Sequence, residues 1–172
     1  MPDMNELPQR KRNRLEREIY SLAGSFFITI CTHGKQKILS NIVGAIHESP
    51  AINLTPCGHI IDNVIQELPN KFPITVDRYV IMPNHIHLII TLKDGDEIRA
   101  IRESPLPKRS VISRVVGYLK MNATKRIHCL MPGTVFQRSF YDHVIRNGRE
   151  YDEISQYVMQ NPQNWQTDIL YW

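Results

Sequence analysis

Apolar positions along this chain recur with two periods, two residues in some stretches and about 3.6 in others, and the alternation predicts the elements. Residues 25–32 (SFFITICT) are aromatic and β-branched and predict a strand in the middle of a sheet. Residues 38–45 and 51–55 are shorter apolar runs, read as an edge hairpin or a loop insertion, with Ser49-Pro50 as the breaker between them. Thr55 caps a helix with Pro56 at its first position, running to about Leu68. Ile60 or Ile61, Val64, Ile65 and Leu68 form its buried stripe. Residues 74–82 and 85–92 predict a hairpin, because Pro83 presets φ for the first turn position and Asn84 tolerates the second. Asp94-Gly95, Pro105 and Pro107 mark a linker. Ser110 then caps a longer helix to about Leu130, with Ile112, Val115 or Val116, Leu119, Ala123, Ile127 and Leu130 facing inward. Residues 135–145 predict a further strand, Gly148 a break, and residues 149–160 a last helix stopped by Pro162.

Strand, helix, strand, strand, helix, strand and a final helix make an α+β chain. Two interleaved β-α-β units give a ferredoxin-like antiparallel sheet with helices on one face. That fold hosts many functions, so the function has to come from particular side chains.

The second strand of the hairpin begins His85-Ile86-His87. Side chains two apart on a strand share a face, so both imidazoles point one way while Ile86, Leu88 and Ile90 point into a core. Two imidazoles side by side on a strand are two preplaced metal ligands. Alone, the pattern is weak evidence and fits a plain strand better; a third ligand and a chemical partner are needed.

On the last helix, Ile154, Tyr157, Val158 and Asn161 are spaced to share one face. If that face packs over the histidines, it brings a phenol and an amide oxygen beside them. The amide oxygen suits a divalent ion as third ligand, and the phenol is a nucleophile. The alternative is a core tyrosine with its hydroxyl paired.

The 172 residues suit one domain with a basic arm at residues 1–18. Net charge is +4, a lean toward an anionic partner. Arg10, Lys11, Arg12, Arg14 and Arg17 crowd that arm, which either follows phosphates or is simply solvated. Arg114, Lys120, Lys125 and Arg126 lie mostly off the buried stripe of the long helix, with the same two readings. Cys31, Cys57 and Cys129 are odd in number and far apart, which argues for small core thiols in a reducing cytoplasm. No run reaches the ~20 apolar residues of a membrane span, and no apolar signal segment opens the chain.

The segment YVIMPNHIHLII resembles the His-hydrophobic-His motif of HUH endonucleases. With FQRSFYDHVIRN and ISQYVMQNPQNW it is similar to the single-tyrosine transposases of insertion sequences, most of all their REP-associated tyrosine transposase branch. RKRNRL, FFITICTHGKQ and VVGYLKMNATKRI extend the resemblance over nearly the whole chain. The branch carries Asn rather than Gln four residues after its tyrosine, as at Asn161. The chain departs from the family's Gly-Tyr-Asp-Tyr-like stretch at Leu15-Glu16-Arg17-Glu18-Ile19-Tyr20.

The resemblance implies an HUH-type sheet with the nucleophilic tyrosine on the C-terminal helix. It implies a divalent cofactor, Mg²⁺ or Mn²⁺, on His85, His87 and Asn161, with Tyr157 attacking DNA. The substrate is then single-stranded or hairpin DNA, and the product a 5′-phosphotyrosine beside a free 3′-hydroxyl. Arg12, Arg14, Lys120, Lys125, Arg138 and Arg146 are the candidate phosphate contacts, on a monomer or homodimer. Two rival readings are a DNA-binding protein of the same fold without cleavage, and a metal-dependent hydrolase that uses water.

Overall fold

Phe26, Ile28 and Ile30 alternate with Phe27, Thr29 and Cys31 along β1 (Ser25–Cys31), and the two sets face opposite sides of a sheet. The computed structural model describes residues 24–43, 51–93 and 110–171. In it, β1 pairs antiparallel with β5 (His85–Leu92) on one side and β6 (Tyr141–Ile145) on the other. β4 (Ile74–Ile81) completes the sheet as a hairpin with β5, in the order β4-β5-β1-β6. The Met82 N–H donates to the His85 carbonyl at 2.9 Å, closing a turn on Pro83 and Asn84. A bulge between Val76 and Arg78 shifts the register, so Ile74 and Val76 before it and Tyr79 and Ile81 after it all face one core. β2 (Ser40–Val43) and β3 (Ala51–Leu54) form a separate two-stranded ribbon.

Two helices among the described residues cover one face. α1 (Pro56–Glu67) is capped by the Thr55 hydroxyl, which accepts from the Gly58 N–H at 3.1 Å. α2 (Val111–Ile127) is capped by Ser110, which accepts from the Ser113 N–H at 3.1 Å. Ile61, Val64, Ile65, Ile112, Val115, Leu119 and Ile127 pack on Phe26, Ile28, Ile30, Ile86, Leu88 and Ile90. Arg126 of α2 forks onto the Glu67 carboxylate with bonds of 2.8 and 2.9 Å. Gly58 lets α1 press on the chain before β2: a Cβ there would stand 2.1 Å from the Leu39 carbonyl oxygen.

α3 (Gly148–Gln160) lies on the opposite face, against β4 and β5. Val158 is 1 % exposed in a second cluster with Val80, Met82, Ile89, Ile145 and Trp165. Burying such a valine contributes about 1.5–3 kcal/mol, which anchors the helix over the histidine side of the sheet. Among the described residues no helix is long and apolar enough to cross a membrane.

Four local expectations change. The strand expected over residues 135–145 is regular only from Tyr141; before it, Phe136 makes a single bridge to Thr32. Val135, Phe136 and Phe140 are apolar because they plug the core, not because they pair in a sheet. α2 stops at Ile127, a turn before Leu130, which is 56 % exposed. Gly148 opens α3 instead of breaking the chain, since Asn147 Oδ1 caps the Glu150 N–H at 2.9 Å. Of the three thiols only Cys57 is buried; Cys31 is half-buried and Cys129 exposed.

Candidate metal centre and tyrosine

His85 and His87 stand on the face of β5 opposite the large core, 0 % and 2 % exposed, with ring centroids 4.5 Å apart. Each ring is held at Nδ1. Asn84 donates through Nδ2 to the Leu170 carbonyl at 2.7 Å, which turns its Oδ1 toward His85. His85 Nδ1–H donates to that oxygen at 2.8 Å. On β1, Thr29 Oγ1 is 2.8 Å from His87 Nδ1, and Phe27 stacks on the same imidazole at 5.1 Å. Both rings thereby present Nε2 toward one site, and the His85 bond leaves a lone pair there. Burial holds the His85 imidazole down to about 4, against the upward pull of the Asp168 carboxylate and then the Asn161 amide. Burial, with His85 beside it, also holds His87 well below 6.5. The two rings are therefore neutral near pH 7, the form that binds metal.

α3 brings in the tyrosine and the amide. Tyr157 Oη is 3.4 Å from His87 Nε2, its ring meets Phe27 edge-on at 6.0 Å, and the residue is 42 % exposed. Burial and the Asp168 carboxylate raise the Tyr157 phenol above its usual 10, and the Asn161 amide opposes them. Asn161 sits one turn on, 1 % exposed, where α3 ends. Its Nδ2 donates to Asp168 Oδ2 at 3.0 Å.

Asp168 was not legible among the site residues. It lies in the irregular tail after α3, and its one sequence signal is being the only charged side chain in residues 161–172. The tail folds back over the histidines, with Trp165 tilted on His85 at 5.9 Å and Lys37 Nζ 3.9 Å from the centre of the Tyr171 ring. Asp168 Oδ1 accepts the Leu170 N–H at 2.6 Å, and Oδ2 is 3.9 Å from His85 Nε2. His85, His87 and Asp168 each offer a ligand atom within 4.8 Å of the others, a cluster able to coordinate a divalent metal. Within this cluster, the buried His85 Nε2 and Asn161 Oδ1 have no hydrogen-bond partner among the described residues. An unmet buried polar atom costs about 1–3 kcal/mol, and a cation satisfies such lone pairs. The residues therefore fit a divalent ion.

The basic residues are distributed differently. Arg12 and Arg14 lie outside the described residues. Lys120 Nζ donates to the carbonyls of Gln137 and Ser139 at 2.7 and 2.8 Å, tying that segment to α2. Lys125 and Arg138 are exposed around one hollow between α2 and residues 133–138. Arg146 is exposed at the end of β6.

A four-stranded antiparallel sheet with helices on one face, and paired histidines beside a carboxylate on the other, is consistent with an HUH-type, ferredoxin-like fold. The comparisons agree. A REP-associated tyrosine transposase of Escherichia coli is 22 % identical over 158 residues, covering 91 % of this chain and 78 % of its own. An uncharacterized protein of Haemophilus influenzae is 29 % identical over 175 residues, covering 94 % of this chain and 93 % of its own. The solved structure of a REP-associated tyrosine transposase bound to a REP hairpin superposes with a TM-score of 0.58 at 20 % identity, over 83 % of this chain and 68 % of that one. No family model matches. The chain is homologous to the REP-associated tyrosine transposase family, in sequence through its curated relatives and in fold through the solved structure.

Proposed function

We propose that this protein is a metal-dependent endonuclease and strand transferase of single-stranded or hairpin DNA, with Tyr157 as its nucleophile. The observation that carries this reading is the Tyr157 hydroxyl 3.4 Å from His87 Nε2, beside the two unpaired acceptors His85 Nε2 and Asn161 Oδ1. His85, His87 and Asn161 would hold Mg²⁺ or Mn²⁺, which supplies positive charge to the non-bridging oxygens of the attacked phosphate. Asp168 holds the Asn161 amide in place through its bond to Nδ2.

The half-exposed phenol reaches solvent on one side and is braced by Phe27 and His87 on the other. Its oxygen attacks phosphorus as its proton passes to water; the Oη–P bond forms and the P–O3′ bond breaks. The departing 3′-oxygen takes a proton from water. The product is a 5′-phosphotyrosine, an ester much like the one broken, so a second 3′-hydroxyl can reverse the attack without ATP.

A helix-borne tyrosine needs a bendable phosphate, which single strands and hairpins offer more readily than duplex. The solved homologue carries a REP hairpin, which supports that substrate class. Lys125, Arg138 and Arg146 are the phosphate contacts in this reading, with Arg12 and Arg14 on the basic arm of a single-domain, cytoplasmic protein. Lys120 adds positive charge beside them.

The test is a panel of labelled hairpins with Mg²⁺ or Mn²⁺, run on denaturing gels. A covalent protein–DNA adduct supports the proposal. Cleavage without an adduct points to water as nucleophile, and binding without cleavage to a DNA-binding module.

A further inference from the structure

A cleft of about 470 Å³ opens beside the Tyr157 ring, on the side away from α3's packing onto β4. Phe27 of β1, Tyr141 of β6 and Phe140 just before β6 line it with aromatic carbon. Gln137 adds an amide, while His87 and Tyr157 line both this cleft and the metal centre. Tyr141 is 53 % exposed, although it sits on the same sheet face as Thr29, its partner in the β1–β6 register.

We propose that this cleft receives one unstacked nucleobase, from a nucleotide next to the phosphate that Tyr157 attacks. The inference rests on the nuclease reading above and specifies what the site does with its substrate. Three observations carry it. The cleft shares His87 and Tyr157 with the centre, so a group bound there is attached to a phosphate within reach of the phenol. Its size is that of a small planar ligand's pocket and excludes a duplex. Its lining joins ring surfaces to an amide, the pairing that binds splayed-out bases by stacking and reads their edges by hydrogen bonds. The geometry also has a chemical use. A strand must bend sharply to present one phosphate to a buried centre, and the bend unstacks a base; the cleft gives that base a new aromatic surface.

The experiment uses a hairpin that yields the adduct, with an abasic site placed in turn on each side of the cleaved bond. One of the two should slow adduct formation about ten-fold or more, while an abasic site several nucleotides away leaves the rate unchanged. Tyr141→Ala should slow the intact substrate by a similar factor and remove most of the abasic penalty. In parallel, 2-aminopurine at the sensitive position is bound to Tyr157→Phe protein with Mg²⁺, so no reaction intervenes. Its fluorescence should be quenched on binding, and Tyr141→Ala in the same background should relieve the quenching. Equal rates with either flanking abasic site, or quenching indifferent to Tyr141→Ala, overturn the proposal. If no hairpin gives an adduct, the nuclease reading falls. The 2-aminopurine measurement, scanned along a bound strand, then decides the cleft by itself.

Discussion

Asn161 donates its Nδ2 to Asp168 Oδ2 at 3.0 Å, and that one bond decides which end of the amide is free. The oxygen left over is buried and has no hydrogen-bond partner. Asp168→Ala should let the amide turn over and remove a carboxylate from beside His85. Groups that orient ligands typically affect metal affinity 10–100-fold, so Mn²⁺ affinity by titration calorimetry should fall by about that factor. An affinity unchanged in Asp168→Ala would show that the bond does not hold the centre.

Tyr157→Phe should abolish both cleavage and the covalent adduct. The lost hydroxyl makes one long contact of 3.4 Å and the ring keeps its neighbours, so the unfolding free energy should move by less than about 1 kcal/mol. Tyr151→Phe should stay active, because Ser155 rather than an amide follows it one turn later. Mass spectrometry of trapped adduct should find the nucleotide on the peptide containing Tyr157. Finding it on Tyr141 or Tyr151 would reassign the nucleophile.

Chelation should stop cleavage and leave DNA binding largely intact, because phosphate contacts elsewhere dominate affinity. His85→Ala and His87→Ala should behave the same way. Affinity should also fall steeply with salt in a gel-shift series, and a flat log–log plot would remove the basic surface from the account.

Acid should destabilise the protein before its carboxylates titrate. His85 has a folded value of about 4, below the 6.5 expected of the unfolded chain. Between those values the unfolded state binds more protons, so His85's contribution is complete above about pH 6.5 and is lost as pH falls toward 4. From pH 7 to pH 5 that loss is about 2 kcal/mol, and His87 acts in the same direction. Urea midpoints should drop accordingly, and His85→Gln should flatten the dependence. Constant midpoints across that range would contradict it.

Gly58→Ala tests the seat of α1. Its methyl would meet the Leu39 carbonyl oxygen at 2.1 Å, which forces the helix off the chain before β2. Destabilisation of about 1–3 kcal/mol or more should follow, read as a lowered melting temperature. A neutral substitution would mean that this contact yields freely.

Local periodicity was enough to place His85 and His87 on one side of a strand, and Tyr157 and Asn161 on one side of a helix. It also set the caps at Thr55 and Ser110 and the turn at Pro83-Asn84, because each depends on residues a few positions apart. Which surface the last helix covers depended on a second apolar cluster joining Val158 to Val80, Met82 and Ile89, and no repeat along the chain encodes that pairing. The same holds for Val135, Phe136 and Phe140, whose burial looks like a strand's until the core they fill is seen. Asp168 is the clearest case. It belongs to no periodic element and reaches His85 only because Trp165 and the Asn84–Leu170 bond draw the tail back across the sheet. Periodicity records which side of an element avoids water; the closing of long loops onto complementary surfaces decides which sides meet, and only the folded chain contains that information.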